Sequence, residues 1–277
     1  MSNYLVYSLE NALTVYAVFL SYYPDKGGEV AKKFIKDAKF LAGDKEFISI
    51  IVNNSGKPIE IESIVGDNSA WEFSGFQSGI NHLKSKYVLK STDIVIFAND
   101  TYRRHRRFNI LDLLSYKKAI FKNKYSSFPI LIGERFNLTA KAIISELPFT
   151  GWVSTYFFVT NGALLEHVNK LDNFSCNTKL RLVDNKITFN EIVDENLASH
   201  INKWLCPVDN TFGWYNANSA SKELILGKAK AILNEKYLSA LCENNNGQKI
   251  HVYEGLLGKL TRLINYRLFP SHKARVK

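Results

Sequence analysis

Cysteine is scarce: Cys176, Cys206 and Cys242 are the three in the chain, odd in number and far apart. That spacing excludes a disulfide framework and a paired-cysteine zinc site, and it reads as reduced cytosolic thiols. Long apolar runs are lacking too, since no segment reaches the roughly 20 uninterrupted apolar residues that span a bilayer. The apolar stretch 13–23 (LTVYAVFLSYY) is too short to span and has no basic residue before it, which argues against a signal peptide. Glycine-rich phosphate loops are also missing. Neither GxGxxG nor GxxxxGKS/T occurs, so a dinucleotide fingerprint and a P-loop are excluded. A ligand must then be held by side chains and metal.

Negative charge is in deficit: 26 acidic against 36 basic side chains leave a formal net charge of +10. Nucleic acid, anionic lipid and a nucleoside diphosphate all satisfy such a chain. One cluster, Arg103, Arg104, His105, Arg106 and Arg107, suits a phosphate; a second, from Lys259 and Arg262 to Lys277, suits a membrane surface. For each the plainer reading is a solvated face. Basic residues here follow a strand end and a tail, and do not alternate with aromatics along strands, so nucleic acid is set aside.

The stretch 13–23 predicts a buried strand. From Glu29 the residues Val30, Ala31, Phe34, Ile35, Ala38 and Leu41 recur at helical spacing. A second buried strand, 47–52, ends in Asn53-Asn54-Ser55-Gly56, completing a β-α-β unit. A short strand over 59–65, a helix over 73–83 and a strand over 94–97 follow. The last runs into Asn99-Asp100-Thr101, a carboxylate at the mouth of an open α/β sheet, where ligands of such sheets bind. An Asx turn closing the strand is the bland alternative.

The order of these elements carries a resemblance. It lies in Asn53-Asn54, in Gly66-Asp67-Asn68-Ser69 leading into 71–79 (WEFSGFQSG), in Asn99-Asp100-Thr101 and in 152–158 (WVSTYFF), read as one acceptor-side strand. Over about residues 14–170 the chain resembles GT-A glycosyltransferases, most closely bacterial family 2-like and rhamnan-synthesis-type transferases of surface polysaccharides. The resemblance implies an α/β fold, a GT-A (Rossmann-like) mostly parallel central sheet flanked by helices, with a C-terminal helical extension. It divides the chain into a transferase domain (1–206), an acceptor-side loop and packing helix of the same domain (207–254), and a basic amphipathic helix and tail (255–277).

The implied activity is hexosyl transfer from a nucleotide-sugar donor to a growing, lipid-linked bacterial glycan such as O-antigen, capsule or lipooligosaccharide. Asp100 would stabilise the departing diphosphate through Mg²⁺ or Mn²⁺. These transferases commonly use Asp-x-Asp, whereas this corner offers one carboxylate, so Arg103 and Arg104 are the alternative means of neutralising the phosphates. Asn53, Asn54, Asp67 and Asn68 would read base and ribose, Tyr22 or Tyr23 would stack on the base, and Ser21, Asn99 and Thr101 complete the polar edge. Glu72, between two aromatic residues, is a candidate catalytic residue, with an acid placed at a helix N-terminus to suit the macrodipole as the plainer reading. For the base that deprotonates the acceptor, Glu146 is taken, with Glu166, Glu191, Asp194, Glu195, His167 and His200 as unranked alternatives.

Beyond 207 a turn-rich stretch reads either as an acceptor-site loop that presents Trp214 and Tyr215 for sugar stacking or as a plain surface loop, and 222–243 predicts a packing helix. Residues 253–269 place Leu256, Leu257, Leu260, Leu263, Ile264 and Leu268 on one helical face with Lys259, Arg262 and Arg267 at its margins. Such a helix lies in an anionic membrane interface, or docks on the core or on a second subunit. The expected place is the cytoplasm, with peripheral contact at the inner face of the plasma membrane. A non-catalytic scaffold subunit of glycan assembly, or a homo-oligomer, stays open.

Overall fold

The computed structural model describes residues 13–23, 27–104, 108–175, 177–207, 213–214, 217 and 219–268. β1 (Thr14–Ser21) is buried along its whole length. Its alternate side chains feed two cores: Val15, Ala17 and Phe19 join one, Tyr16, Val18 and Leu20 the other. A strand apolar on both faces belongs in the interior of a sheet covered on both sides. The chain then passes through α1 (Gly27–Ala42) to β2 (Glu46–Asn53), which pairs parallel with β1 and sets Ser21 beside Asn53. β3 (Ile64–Val65) adds outside β2.

α2 (Glu72–Lys86) brings the chain back across β1, and β4 (Ile94–Asn99) pairs parallel on its other side. The direction of winding therefore reverses between β1 and β4. Gly75 and Gly79 set how closely α2 lies on β1. A Cβ on Gly75 would stand 2.3 Å from Leu20 Cδ1, and one on Gly79 would stand 2.4 Å from Val18 Cγ1. This accounts for the glycines in the 71–79 run and places the start of α2 over the ends of β1 and β2.

The second half completes the sheet by a less regular path. α3 (Ile110–Asn123) leads to β5 (Ile130–Gly133), and β6 (Arg135–Ile144) and β7 (Leu147–Val153) form a hairpin of their own. β8 (Phe157–Asn161) inserts antiparallel between β4 and β5. After α4 (Gly162–His167) and the small hairpin β9 (Arg181–Val183) and β10 (Lys186–Thr188) come α5 (Glu195–Leu205) and α6 (Lys222–Asn244). β11 (Gln248–His251) pairs parallel with β5 at the sheet margin, and α7 (Gly255–Leu268) follows. The order is β11-β5-β8-β4-β1-β2-β3, a mixed and mostly parallel sheet with helices on both faces. A third core joins the β6/β7 hairpin, α5 and the first half of α6.

Two expected strands change. The 152–158 stretch is no single strand: β7 stops at Val153 and β8 starts at Phe157. Between them the Ser154 N–H donates to the Glu134 carbonyl and the Thr155 N–H to Glu235, so these polar groups leave the ladder for other partners. The 59–65 strand shrinks to Ile64–Val65, while Ile59 and Ile61 pack on the core without strand pairing. Among the described residues no helix is long and apolar enough to cross a membrane.

The Gly79→Ala variant should lose about 1–3 kcal/mol of stability in chemical denaturation, the cost of overpacking a filled interface. Ala at Gly43, with nothing within 4 Å, serves as the reference, its cost coming only from its φ of +66°.

Candidate functional site

The parallel register brings the C-terminal ends of β1, β2, β3 and β4 to one edge, pairing Ser21 with Asn53, Asn53 with Val65 and Leu20 with Asn99. Asp100 sits at the reversal point and is only 3 % exposed. Its Oδ2 accepts the N–H groups of Tyr22 at 2.8 Å and Tyr23 at 2.7 Å, and its own N–H donates to the Leu20 carbonyl at 3.1 Å. The side chain thus closes the gap that opens where the chain turns off β1. Burial pushes the carboxyl up to about 6, although the two N–H groups and nearby Arg104 pull the other way. The Arg104 guanidinium lies 3.8 Å from the centre of the Tyr23 ring.

Several predicted polar residues close on their own turns. Asn53 Oδ1 accepts the N–H of Ser55 at 3.0 Å and its hydroxyl at 2.7 Å, while Nδ2 donates to the Lys57 carbonyl. Asp67 Oδ1 takes the Ser69 N–H and hydroxyl in the same way, and the Ser69 N–H is the main force holding its pKa below the usual carboxylate value. Asn99 Oδ1 accepts the Thr101 N–H at 3.0 Å. These are Asx turns at strand ends. Tyr22 is exposed at the same edge. Ser21 Oγ and Asn54 Oδ1 are buried with no hydrogen-bond partner, and Asn54 Nδ2 donates weakly to Asn68 at 3.4 Å.

Glu72 opens α2 beneath Trp71, which holds a left-handed φ of 56°. One Glu72 oxygen lies 3.9 Å from Lys228 Nζ of α6, and the Trp71 indole rests on Gly227, where a Cβ would fall 2.3 Å from its Nε1.

Two candidates are placed elsewhere. Arg103 turns to α1, where Nη2 is 2.7 Å and Nε 3.0 Å from Asp37 Oδ2, with the buried Tyr102 hydroxyl on the same oxygen. It is held within the fold and is not offered to a diphosphate. Glu146 stands exposed in the two-residue turn between β6 and β7, with Ser145 at φ 45° and Glu146 at φ 66°, a hairpin turn remote from the edge. Asp194 caps α5, and Glu166 is exposed on α4. Trp214, expected to stack on sugar, is buried in the third core, and His105, Arg106, Arg107, Cys176 and Tyr215 lie outside the described residues.

The donor set at Asp100 does not fit a divalent cation. Its Oδ2 already accepts two N–H groups, Asn99 Oδ1 accepts a third, and among the described residues no three of His, Cys, Asp and Glu gather. A hard cation needs several free oxygens converging on one point.

One cluster was missed. Tyr156, whose carbonyl takes the Asn99 N–H at 3.2 Å, follows Thr155, whose N–H and hydroxyl donate to Glu235 Oε2 at 3.0 and 3.1 Å. Glu235 Oε1 lies 2.8 Å from Lys236 Nζ, which stands 3.5 Å from the centre of the Trp152 ring. Trp152 stacks on Phe136 and meets His200 edge-on. Burial pulls the Lys236 ammonium down to about 8, against the pull of Glu235. The sequence did hold a signal: Lys236 occupies the stripe of Ala229, Leu233 and Ala240, where a lone lysine is costly unless paired.

Set against models of known protein families, curated proteins and solved structures, the chain matches none of them. Its class rests on the fold: an α/β protein with a winding reversal and a polar strand-end edge.

Asp100 also sets a pH dependence. Its folded pKa, about 6, lies above the ordinary 3.8, so the folded state holds its proton more tightly, and stability is lost as pH rises from 3.8 through 6. Asp100→Asn keeps an acceptor for Tyr22 and Tyr23 without the charge. Its stability relative to wild type should improve over that window and level off above it. Asp100→Ala, which strands two N–H groups, should cost about 1–3 kcal/mol in urea unfolding.

Proposed function

We propose that the chain is a nucleotide-sugar-dependent glycosyltransferase that extends a lipid-linked bacterial surface glycan. The observation that carries this reading is the winding reversal between β1 and β4, with the polar strand ends Ser21, Asn53 and Asn99 and the 66–69 turn after β3 on one edge. Open α/β sheets bind ligands at that position. The step from such an edge to sugar transfer is an analogy of fold and motif. On this reading the exposed Tyr22 ring receives the nucleotide base, and Arg104 beside Tyr23 neutralises the departing diphosphate. Glu72 receives the acceptor proton. Asp100 acts as a positioning residue through the Tyr22 and Tyr23 backbone, and no step passes through a metal.

A scaffold without catalysis is favoured by one observation: Asn53, Asp67 and Asn99 each have a side-chain oxygen engaged within their own turn.

Thermal shift with UDP, GDP, CDP and dTDP, each with and without Mn²⁺, tests the binding half. One nucleotide should raise the melting temperature, and Arg104→Ala should weaken its binding about tenfold, as expected for one charge-assisted hydrogen bond. No shift with any nucleotide would sink the proposal. If a nucleotide binds but Glu72→Gln supports sugar transfer as wild type does, Glu72 is not the base. If wild type binds yet transfers nothing to lipid-linked acceptors, the scaffold reading stands.

A further inference from the structure

α3 and α7 pack against each other on one side of the sheet, and the Tyr253 hydroxyl donates to Asp112 Oδ1 at 2.5 Å where they meet. α3 buries Leu113, Tyr116 and Ile120. Its opposite face should be polar if water were its neighbour. Instead that face carries Ile110, Leu114, Phe121 and, just past the helix, Tyr125, with Phe121 and Tyr125 68 % and 67 % exposed. These positions recur at intervals of four and seven, so they form one continuous stripe. α7 repeats the pattern with Leu256, Leu260 and Leu263, all exposed while Gly258 and Thr261 are buried.

The charges on the exposed faces of both helices are basic; the nearest acids, Asp44 at the end of α1 and Glu254 just before α7, are fewer than the cations around them. Lys118 and Lys122 are exposed on α3, and Lys124 Nζ sits 4.2 Å from the Phe121 ring and 4.9 Å from that of Tyr125. Lys259 and Arg262 are exposed on α7. The one acid of α3, Asp112, is buried, and α7 has none. Between α1 and α3 a cavity of about 240 Å³, lined by Leu13, Leu41, Ile120 and Phe121, opens beside the stripe, with Lys45, Lys117 and Lys124 outnumbering Asp44 among its charged residues.

We propose that this composite α3/α7 face is a docking surface for an anionic lipid bilayer. Aromatic and aliphatic side chains enter the headgroup boundary while the lysines and Arg262 meet lipid phosphates and carboxylates. The charges select this occupant over a second copy of the chain. A twofold contact would place these cations against themselves, since each copy offers the same patch. The inference enlarges the membrane contact expected for 255–277 alone, and it is independent of any sugar transfer.

Vesicle flotation of the full chain tests it. Vesicles of phosphatidylcholine with phosphatidylserine should carry the protein, those of phosphatidylcholine alone should not, and added salt should release it. Lys118→Gln and Lys122→Gln should each weaken partitioning up to about fivefold. Phe121→Glu combined with Tyr125→Glu should abolish it with the melting temperature unchanged; if that double variant melts early, the lysine variants decide. Absence of flotation with phosphatidylserine, or flotation that none of the α3 variants alters, overturns the proposal. So does a dimer that Phe121→Glu splits, or binding of RNA with none of vesicles.

Discussion

The carboxylate of Asp100 holds two strands together at the place where they would otherwise part. A sheet that winds outward in both directions from its centre leaves a cleft between the first strand and the one that returns beside it. Here the cleft is bridged by one oxygen accepting two successive N–H groups from Tyr22 and Tyr23. The backbone leaving β1 is fixed by this pair, and the position of the Tyr22 ring follows from it. Because the carboxylate is buried, the arrangement depends on what faces Asp100. Arg104 and the N–H groups keep its charge tolerable there, and without them burial would favour the neutral acid outright.

The first half of the fold was legible because its signals are local. β1 and β4, buried on both faces, read as apolar runs, as did β2, which proves only half-buried except at Ile51 and Val52; α1 shows a clean helical period, and the strand ends show asparagine and aspartate clusters. The packing of α2 was half visible: Gly75 and Gly79 fall in the 71–79 run, but their purpose lies in Leu20 and Val18, more than fifty residues earlier. Arg103 could not be assigned from sequence. Its neighbours suggest a phosphate, and its partner Asp37 lies on a helix that the sequence alone does not dock.

The second half was less legible for a related reason. β5, β6 and β11 are short or mixed in character, and β8 borrows its neighbours from distant segments. Trp152 and Tyr156 look like one strand because both flank apolar residues. What divides them is Glu235, a helical carboxylate that draws Thr155 out of the ladder. The same residue holds Lys236 over the indole, so a turn, a helix and a buried ammonium are fixed by one pair of oxygens. A buried charge of this sort is tolerated only with its partner in place.

The placement of β8 has a consequence for how the chain assembles. β1 to β4 are drawn from 14–99 and can pair as soon as they leave the ribosome, but the open side of β4 finds its neighbour only when residues 157–161 arrive, and β5 gains its outer partner only with 248–251. During that interval a strand apolar from Ile94 to Ala98 presents its N–H and C=O groups to any other extended chain, which is the condition under which nascent sheets associate wrongly. Yield in a cell should therefore depend on the pace of translation across that gap and on chaperones that shield β4, more than on the stability of the finished molecule.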